Sequence, residues 1–343
     1  MADDGSAPRL HFDRRAPESL VAALAPPGPF HGLVELVAAH DLLGNALDLQ
    51  LRADPRQPGK GRATLYIGLT KAVDLEARGE MFRVVLQPRF GPMATWQTTP
   101  PTWATWLVAS ELEVVWPQVL GFIRATIKAA QDRYVRIEGG MQALLSNAAS
   151  DRFVMVDRES VIAFDSLVAK NAFLAPLDEL LSKVVRDLES RGYGWAKDGK
   201  GFGDELDALA VDADGRVLVM EIKPGSATAS LGWTPAQVAR YHRLFDAWAQ
   251  QGPGHAREVL KGMLAQRSQM GLASVSRPLP PAPLRFVPVI AVCGRVKNPR
   301  EANERMLAVH TALGRVGIGL DALEVWQVGE DGTIATRELG RLI

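Results

Sequence analysis

Asp207, Glu221 and Lys223 are three ionisable residues set among Leu209, Val211, Val217 and Val219. Charged groups in apolar surroundings cost free energy unless they are paired or used. Two carboxylates and an amine are parts that phosphodiester hydrolysis needs. Carboxylates hold a hard cation such as Mg²⁺, which keeps several of its waters. The cation neutralises charge developing on phosphorus and lowers the pKa of a water. A lysine beside them positions that water or stabilises the pentavalent charge.

Whether the three residues meet depends on strand register. The stretch Asp204 to Lys223 reads as two strands around a turn, and Asp214-Gly215 is a strong hairpin signal. A two-residue loop would set Asp207 opposite Ile222, with the acids on opposite faces. A three-residue loop of Ala213, Asp214 and Gly215 pairs Asp212 with Arg216 and sets Asp207 opposite Glu221. Cross-strand partners have Cβ atoms roughly 4.5–5.5 Å apart, and Lys223, two residues on, shares the face of Glu221. The chemistry favours the three-residue loop.

Downstream, Thr234 and Pro235 have the character of a helix N-cap and first residue. Gln237 and Tyr241 then share one face near the positive helix end, suited to a phosphate or a water. In the helix around Leu174, Glu179 reads as lying beside the apolar stripe and offers a third carboxylate. Glu205, two residues before Asp207, is the runner-up ligand. Arg295, Lys297 and Arg300 read as a solvated basic loop, with phosphate contact as the alternative.

These residues resemble the PD-(D/E)xK nuclease superfamily, and within it the RecB-like branch, over roughly residues 170–330. That branch has an acid on the first core helix, an Asp on the second strand, Glu-x-Lys on the third, then a Gln-x-x-x-Tyr helix. Glu179, Asp207, Glu221-Ile222-Lys223 and Gln237/Tyr241 match in order; Leu206 stands where the motif name has proline. The resemblance implies an α/β restriction-endonuclease-like core, a mixed central sheet flanked by helices, and a requirement for Mg²⁺ or Mn²⁺. It implies Asp207 and Glu221 as metal ligands, with Lys223 and Glu179 completing the catalytic set. Gln237 and Tyr241 would face the nucleic acid. The expected activity is phosphodiester cleavage, with DNA favoured, in defence, restriction or repair. An RNase and a silent nucleic-acid-binding module stay open; a complete Asp, Glu and Lys set argues for turnover.

The elements that must position this centre are legible to different degrees. The second half reads as α-β-β-β-α-(α)-β-α-β, with strands at Gly194 to Lys197, Arg285 to Cys293 and Ala322 to Val328 besides the hairpin. Its first helix runs Leu174 to Glu189, with Leu177, Leu180, Leu181, Val184, Val185 and Leu188 on one face and Gly192 as its stop. The first half reads as an α+β accessory domain: strands at Arg62 to Leu69 and Met81 to Pro88, and a helix from Trp116 to Arg133. Phe153 to Val156 and Ser160 to Phe164 read as a strand pair around Asp157-Arg158-Glu159. The expected domains are 1–165 and 166–343. Trp96, Trp103, Trp106 and Trp116 read as core and loop anchors rather than base-stacking surfaces.

With 343 residues, 47% hydrophobic and 23% charged, the chain has the composition of a globular protein. Its 39 basic and 39 acidic side chains balance, which counts against nonspecific coating of nucleic acid but not against a local cleft. No apolar run approaches a membrane span, and no leader is evident. The single cysteine, Cys293, reads as a packed thiol, and the expected location is cytoplasmic. The six histidines, His242 among them, show no zinc spacing. No membrane partner is expected, and a homo-oligomer stays open.

Overall fold

The computed structural model describes residues 8–38, 47–53, 57, 59–86, 102–134, 137–147, 151–198, 202–273 and 277–343. The elements, in chain order, are β1 (Leu10–His11), α1 (Glu18–Leu24), α2 (Gly32–Ala38), β2 (Leu47–Ala53), β3 (Lys60–Ile67), β4 (Thr70–Arg78), β5 (Met81–Leu86) and β6 (Leu107–Val108). Then come α3 (Ala109–Tyr134), α4 (Ile137–Asn147), β7 (Phe153–Ser160), β8 (Ala163–Phe164), α5 (Leu167–Ser190), β9 (Leu206–Asp212) and β10 (Val217–Pro224). The chain continues through α6 (Thr228–Gln251), α7 (Pro253–Gln269), β11 (Phe286–Cys293), α8 (Pro299–Arg315), β12 (Glu324–Val328) and β13 (Ile334–Arg337). The class is mixed α/β. Among the described residues no helix is long and apolar enough to cross a membrane.

The chain forms two compact units. Unit 1 comprises Met1–Phe12, Glu159–Arg257 and Leu279–Ile343; unit 2 comprises Asp13–Arg158 and Glu258–Pro278. The sequence pattern suggests one cut near residue 165, whereas the chain crosses between the units several times.

In unit 1 the strands lie in the order β13-β12-β11-β10-β9. β10 and β11 are parallel, β11 and β12 are parallel, and β9 and β13 run antiparallel to their neighbours. Every residue of β11 is buried, as for a strand covered on both faces. Pro288 fits inside it because pairing with β12 begins only at Val289, so the missing N–H breaks no bond on that side. Cys293 ends this strand at 1% exposure, a packed thiol. Helix α6 packs on β10 and β11 and against α8.

Helix α5 starts seven residues earlier than its apolar period suggests. The hydroxyl of Ser166 accepts the N–H of Ala169 at 3.1 Å and caps it. Leu174, Leu177, Leu181, Val184 and Leu188 form the buried stripe. It stops at Gly192, whose φ of 85° lets Tyr193 donate back to the Leu188 carbonyl at 3.1 Å. That reversal continues into a 3₁₀ turn over Gly194–Asp198, where the sequence pattern suggests a strand.

Unit 2 is built on an antiparallel sheet in the order β2-β3-β4-β5-β6. Its side chains alternate between two faces, apart from a register shift between Leu65 and Tyr66. Leu49, Leu65, Leu75 and Phe82 face a core shared with Leu20 and Leu24 of α1, Leu33 of α2 and Val119 and Ile123 of α3. Trp103 and Trp116 join that core, while Trp96 lies outside the described residues. The other face carries Asp48, Gln50 and Arg52, and these are buried too.

What covers that polar face departs from the sequence pattern. Asp157 and Arg158 look like a turn, yet β7 runs unbroken through both, and β8 pairs with β1 instead. Arg158 is 0% and Asp157 1% exposed. Arg158 Nη1 donates to Asp48 Oδ2 at 2.8 Å, and Arg52 pairs with Asp157 and donates to the Arg158 carbonyl at 2.6 Å. Ser146 and Gln50 complete the Asp48 carboxylate at 2.9–3.0 Å. Removing one partner of a buried pair leaves a charge without compensation, which costs about 3–5 kcal/mol. Arg158→Met is therefore expected to lower unfolding free energy by about that amount. Urea denaturation monitored by fluorescence checks it, and a change within error would mean that the network contributes nothing.

Candidate functional site

The geometry of the centre begins at a turn. Asp212 Oδ1 accepts the N–H groups of Asp214 and Arg216 at 2.9 and 2.8 Å, and its Oδ2 takes Arg216 Nε at 2.6 Å. Gly215 sits at φ 77°, the left-handed position a three-residue loop needs. The ladder pairs Val217 with Val211 and Met220 with Ala208. One step further in that register sets Asp207 opposite Glu221, as the three-residue loop requires.

At that step the backbone ladder gives way to side chains. Asp207 Oδ2 accepts the Ile222 N–H at 2.8 Å. The Lys223 ammonium lies 2.6 Å from Glu221 Oε1 and 3.4 Å from Asp207 Oδ2. Glu221 is 2% exposed, whereas Asp207 and Lys223 keep 18% and 13% of their side-chain surface. The pair of carboxylates thus already shares one cation, from a partly open side. Beyond Lys223, Gly225 lets two loops touch: a Cβ there would come 2.5 Å from the Arg295 carbonyl oxygen. Lys297 N donates to the Gly225 carbonyl at 3.1 Å. The exposed Arg295 and Lys297 are therefore fastened two residues past the centre; Arg300, also exposed, pairs with Glu304.

Helix α6 supplies the wall, though not as its sequence suggests. It begins at Thr228, so Thr234 and Pro235 lie inside it. Pro235 has no N–H for the Leu231 carbonyl. The Thr234 hydroxyl donates to that oxygen at 2.8 Å, which is how the helix tolerates the proline. Gln237 and Tyr241 consequently sit mid-helix, beyond the reach of the positive end. Trp233, Gln237 and Tyr241 recur every fourth residue and share a face. Trp233 packs on Trp195 and Phe202, with ring centroids 5.8 and 6.0 Å away. Tyr241 donates to the Gly203 carbonyl at 3.1 Å. Burial first, then the charges of Glu221 and Asp207, raises the Tyr241 phenol far above its ordinary value. It stays neutral and acts as a donor. His242 is half-buried, its Nε2 3.3 Å from the Phe286 carbonyl oxygen, and burial lowers its pKa.

Glu179 is not brought to this centre. Its side chain is 57% exposed and pairs with Arg186 at 2.7 Å. At about 100° per residue, position 179 falls opposite the middle of the buried stripe, and position 178 flanks it. Asp178 is the acid that reaches α6, where it pairs with Arg240, itself 5% exposed. Arg240 also lies 3.3 Å from Asp204, which pairs with Lys170. Sequence reasoning missed this lattice, although the helical period already favours Asp178 over Glu179. Glu205 is exposed, just before β9. Among the described residues no group of three or more His, Cys, Asp or Glu converges.

No protein-family model, curated protein or solved structure matches the chain.

Its chemistry therefore rests on geometry. Asp207 and Glu221 suit a small hard cation that takes one or two carboxylates and fills its other positions with water and phosphate. The donor set of two carboxylate groups fits that requirement, and the shared ammonium shows that the position favours positive charge.

Burial alone would raise the Asp204 carboxyl; hydrogen bonds and charge from Lys170 and Arg240 outweigh it and hold the group below its ordinary 3.8. A depressed folded-state value contributes stability above the unfolded-state value, and that stability is lost as pH falls through the folded one. Wild type should therefore exceed Asp204→Asn in urea midpoint at neutral pH, and the gap should close in acid below 3.8. A gap independent of pH would mean that the pairing with Lys170 and Arg240 is not formed.

Proposed function

We propose that unit 1 is a metal-dependent nuclease of the PD-(D/E)xK type, hydrolysing phosphodiester bonds in DNA. The observation that carries this reading is the meeting of Asp207, Glu221 and Lys223 at the end of one hairpin ladder, with the ammonium within 3.4 Å of both acids. Asp207 and Glu221 would hold Mg²⁺ or Mn²⁺. The ion, when bound, supplies charge neutralisation at the phosphate and acidifies a water.

The protein's own groups do the rest. Lys223, beside both carboxylates, would present its ammonium to the attacking water or to a phosphoryl oxygen. Tyr241 remains protonated and orients the Gly203 loop. Gln237, half-buried on the same helical face, offers an amide to the phosphate. Arg295 and Lys297 extend positive charge outward, where a phosphate backbone would run.

A second reading, a module that binds DNA without cutting it, is favoured by one observation: the ammonium already satisfies both acids. Cleavage decides between them. Purified wild type with Mg²⁺ or Mn²⁺ should cut plasmid or single-stranded DNA, and EDTA should stop it. Asp207→Ala and Lys223→Ala should each lower the rate by at least roughly 100-fold. Activity that survives either substitution would sink the assignment. Tight binding without cutting would favour the silent module, and cutting of RNA alone would move the substrate class.

The basic loop gives an independent measurement. Arg295→Ala with Lys297→Ala should weaken DNA binding without regard to sequence. It should flatten the slope of log affinity against log salt by roughly 1.8 for duplex DNA, about 0.9 for each phosphate that is no longer neutralised. An unchanged slope would remove the loop from the interface.

A further inference from the structure

Unit 2 contains a cavity of about 580 Å³ that the proposed chemistry of unit 1 does not use. Its lining includes Arg14, Arg52, Lys60, Arg62, Arg78 and Arg83. Among the described lining residues the only carboxylate is Glu76, and Trp106 is the only aromatic.

Sheet register produces this concentration of charge. Arg52 pairs with Arg62 across β2 and β3, Arg62 with Glu76 across β3 and β4, and Glu76 with Arg83 across β4 and β5. The next row sets Lys60 opposite Arg78. Like charges directly opposite one another destabilise a sheet. Two such pairs on one face, Arg52 with Arg62 and Lys60 with Arg78, run against that rule. Among the described residues the acids within reach do not balance them. Arg52 and Arg14 both turn to Asp157, Arg83 takes Glu76 at 2.6 Å, and Arg62 comes only to 3.8 Å from Asp74. Lys60 donates to the neutral Gln57 side chain at 3.0 Å. Burial foremost, with Arg52 and Arg62 adding to it against the pull of Asp157, lowers the pKa of Arg14.

Two parts of the cavity wall are held in place. Arg52 is 5% exposed, and its two terminal nitrogens are committed to Asp157 and to the Arg158 carbonyl. The Arg83 guanidinium lies over the Trp106 ring, 4.7 Å from its centroid. Guanidinium forks match phosphate oxygens two at a time, which a point charge does not. The volume is that of a small-molecule site. A stacked guanidinium and indole give a flat wall for a planar ring.

We propose that this cavity binds a nucleoside polyphosphate, its phosphates facing Arg62, Arg78 and Lys60 and its base against the Trp106 wall. The site is separate from the Asp207 centre and does not depend on the nuclease reading.

Calorimetric titration of the full chain in EDTA tests it, since chelation keeps a divalent ion from drawing the probe to unit 1. The probes are ATP and inorganic pyrophosphate. Wild type should bind both, ATP more tightly. Arg62→Ala and Arg78→Ala, both at side chains open to solvent, should each weaken both probes roughly tenfold or more. Trp106→Ala should weaken ATP and leave pyrophosphate unchanged. Unchanged melting temperatures for Arg78→Ala would show that the loss is not unfolding. The proposal fails if wild type binds neither probe at millimolar concentration, if the arginine variants bind as wild type does, or if only an oligonucleotide binds.

Discussion

The candidate centre in unit 1 depends on a register, and the register depends on one carboxylate. Asp212 takes two backbone N–H groups and a guanidinium within its own turn, and Gly215 supplies the positive φ that closes the loop at three residues. A slip of one residue would send every following side chain to the other face of the sheet. Asp207 would be left on one face, and Glu221 and Lys223 would turn together to the other. In the observed register two acids face each other across a strand pair. At about 5 Å and an effective dielectric near 20, their repulsion is about 3 kcal/mol. The Lys223 ammonium offsets it. The hairpin thus holds one positive charge beside both acids.

Part of this arrangement is legible in the sequence. Strands β10 and β11 were plain because they are largely apolar, and the turn was plain because its chemistry is local. Local pattern failed where a tertiary partner decided the outcome. Thr234-Pro235 has the composition of a helix start, but the Thr234 hydroxyl repairs the bond that Pro235 removes, and the helix runs through. Asp157 and Arg158 have the composition of a turn, but their partners Arg52 and Asp48 lie more than a hundred residues away in sequence. No short window of sequence contains that information. Glu179 was a different kind of miss, since helical spacing alone places Asp178 beside the stripe and Glu179 away from it.

Strand β2 is the instructive case for unit 2. Leu47, Leu49 and Leu51 alternate with Asp48, Gln50 and Arg52, the pattern of a strand with one face on a core and the other toward water. All but the last of its residues are buried. Burying the polar side demands a partner for each charge, and the structure provides them through β7 and α4, with Arg158 also donating to the Gln142 side-chain oxygen at 2.8 Å. Such networks are weak evidence for stability, because two ions must be stripped of water first.

Charge balance sharpens the contrast between the two units. The whole chain carries 39 basic and 39 acidic side chains, so its total field is close to neutral. A neutral protein has little long-range attraction for polyanions and does not coat them. Positive charge concentrated in a half-open cavity acts differently. Low-dielectric walls focus the field, so attraction is strong inside and negligible a Debye length away. Six cations gathered around one cavity of a neutral chain therefore favour a small anion that can enter over a long one that must lie across the surface. The Asp207 centre has the opposite polarity: two acids share one ammonium on a partly open face, and in the proposed nuclease they would take a cation first and a phosphate only through it. Under the two proposals, phosphate recognition by direct guanidinium contact and by an intervening metal place opposite demands on a sheet, and each demand falls to a different unit.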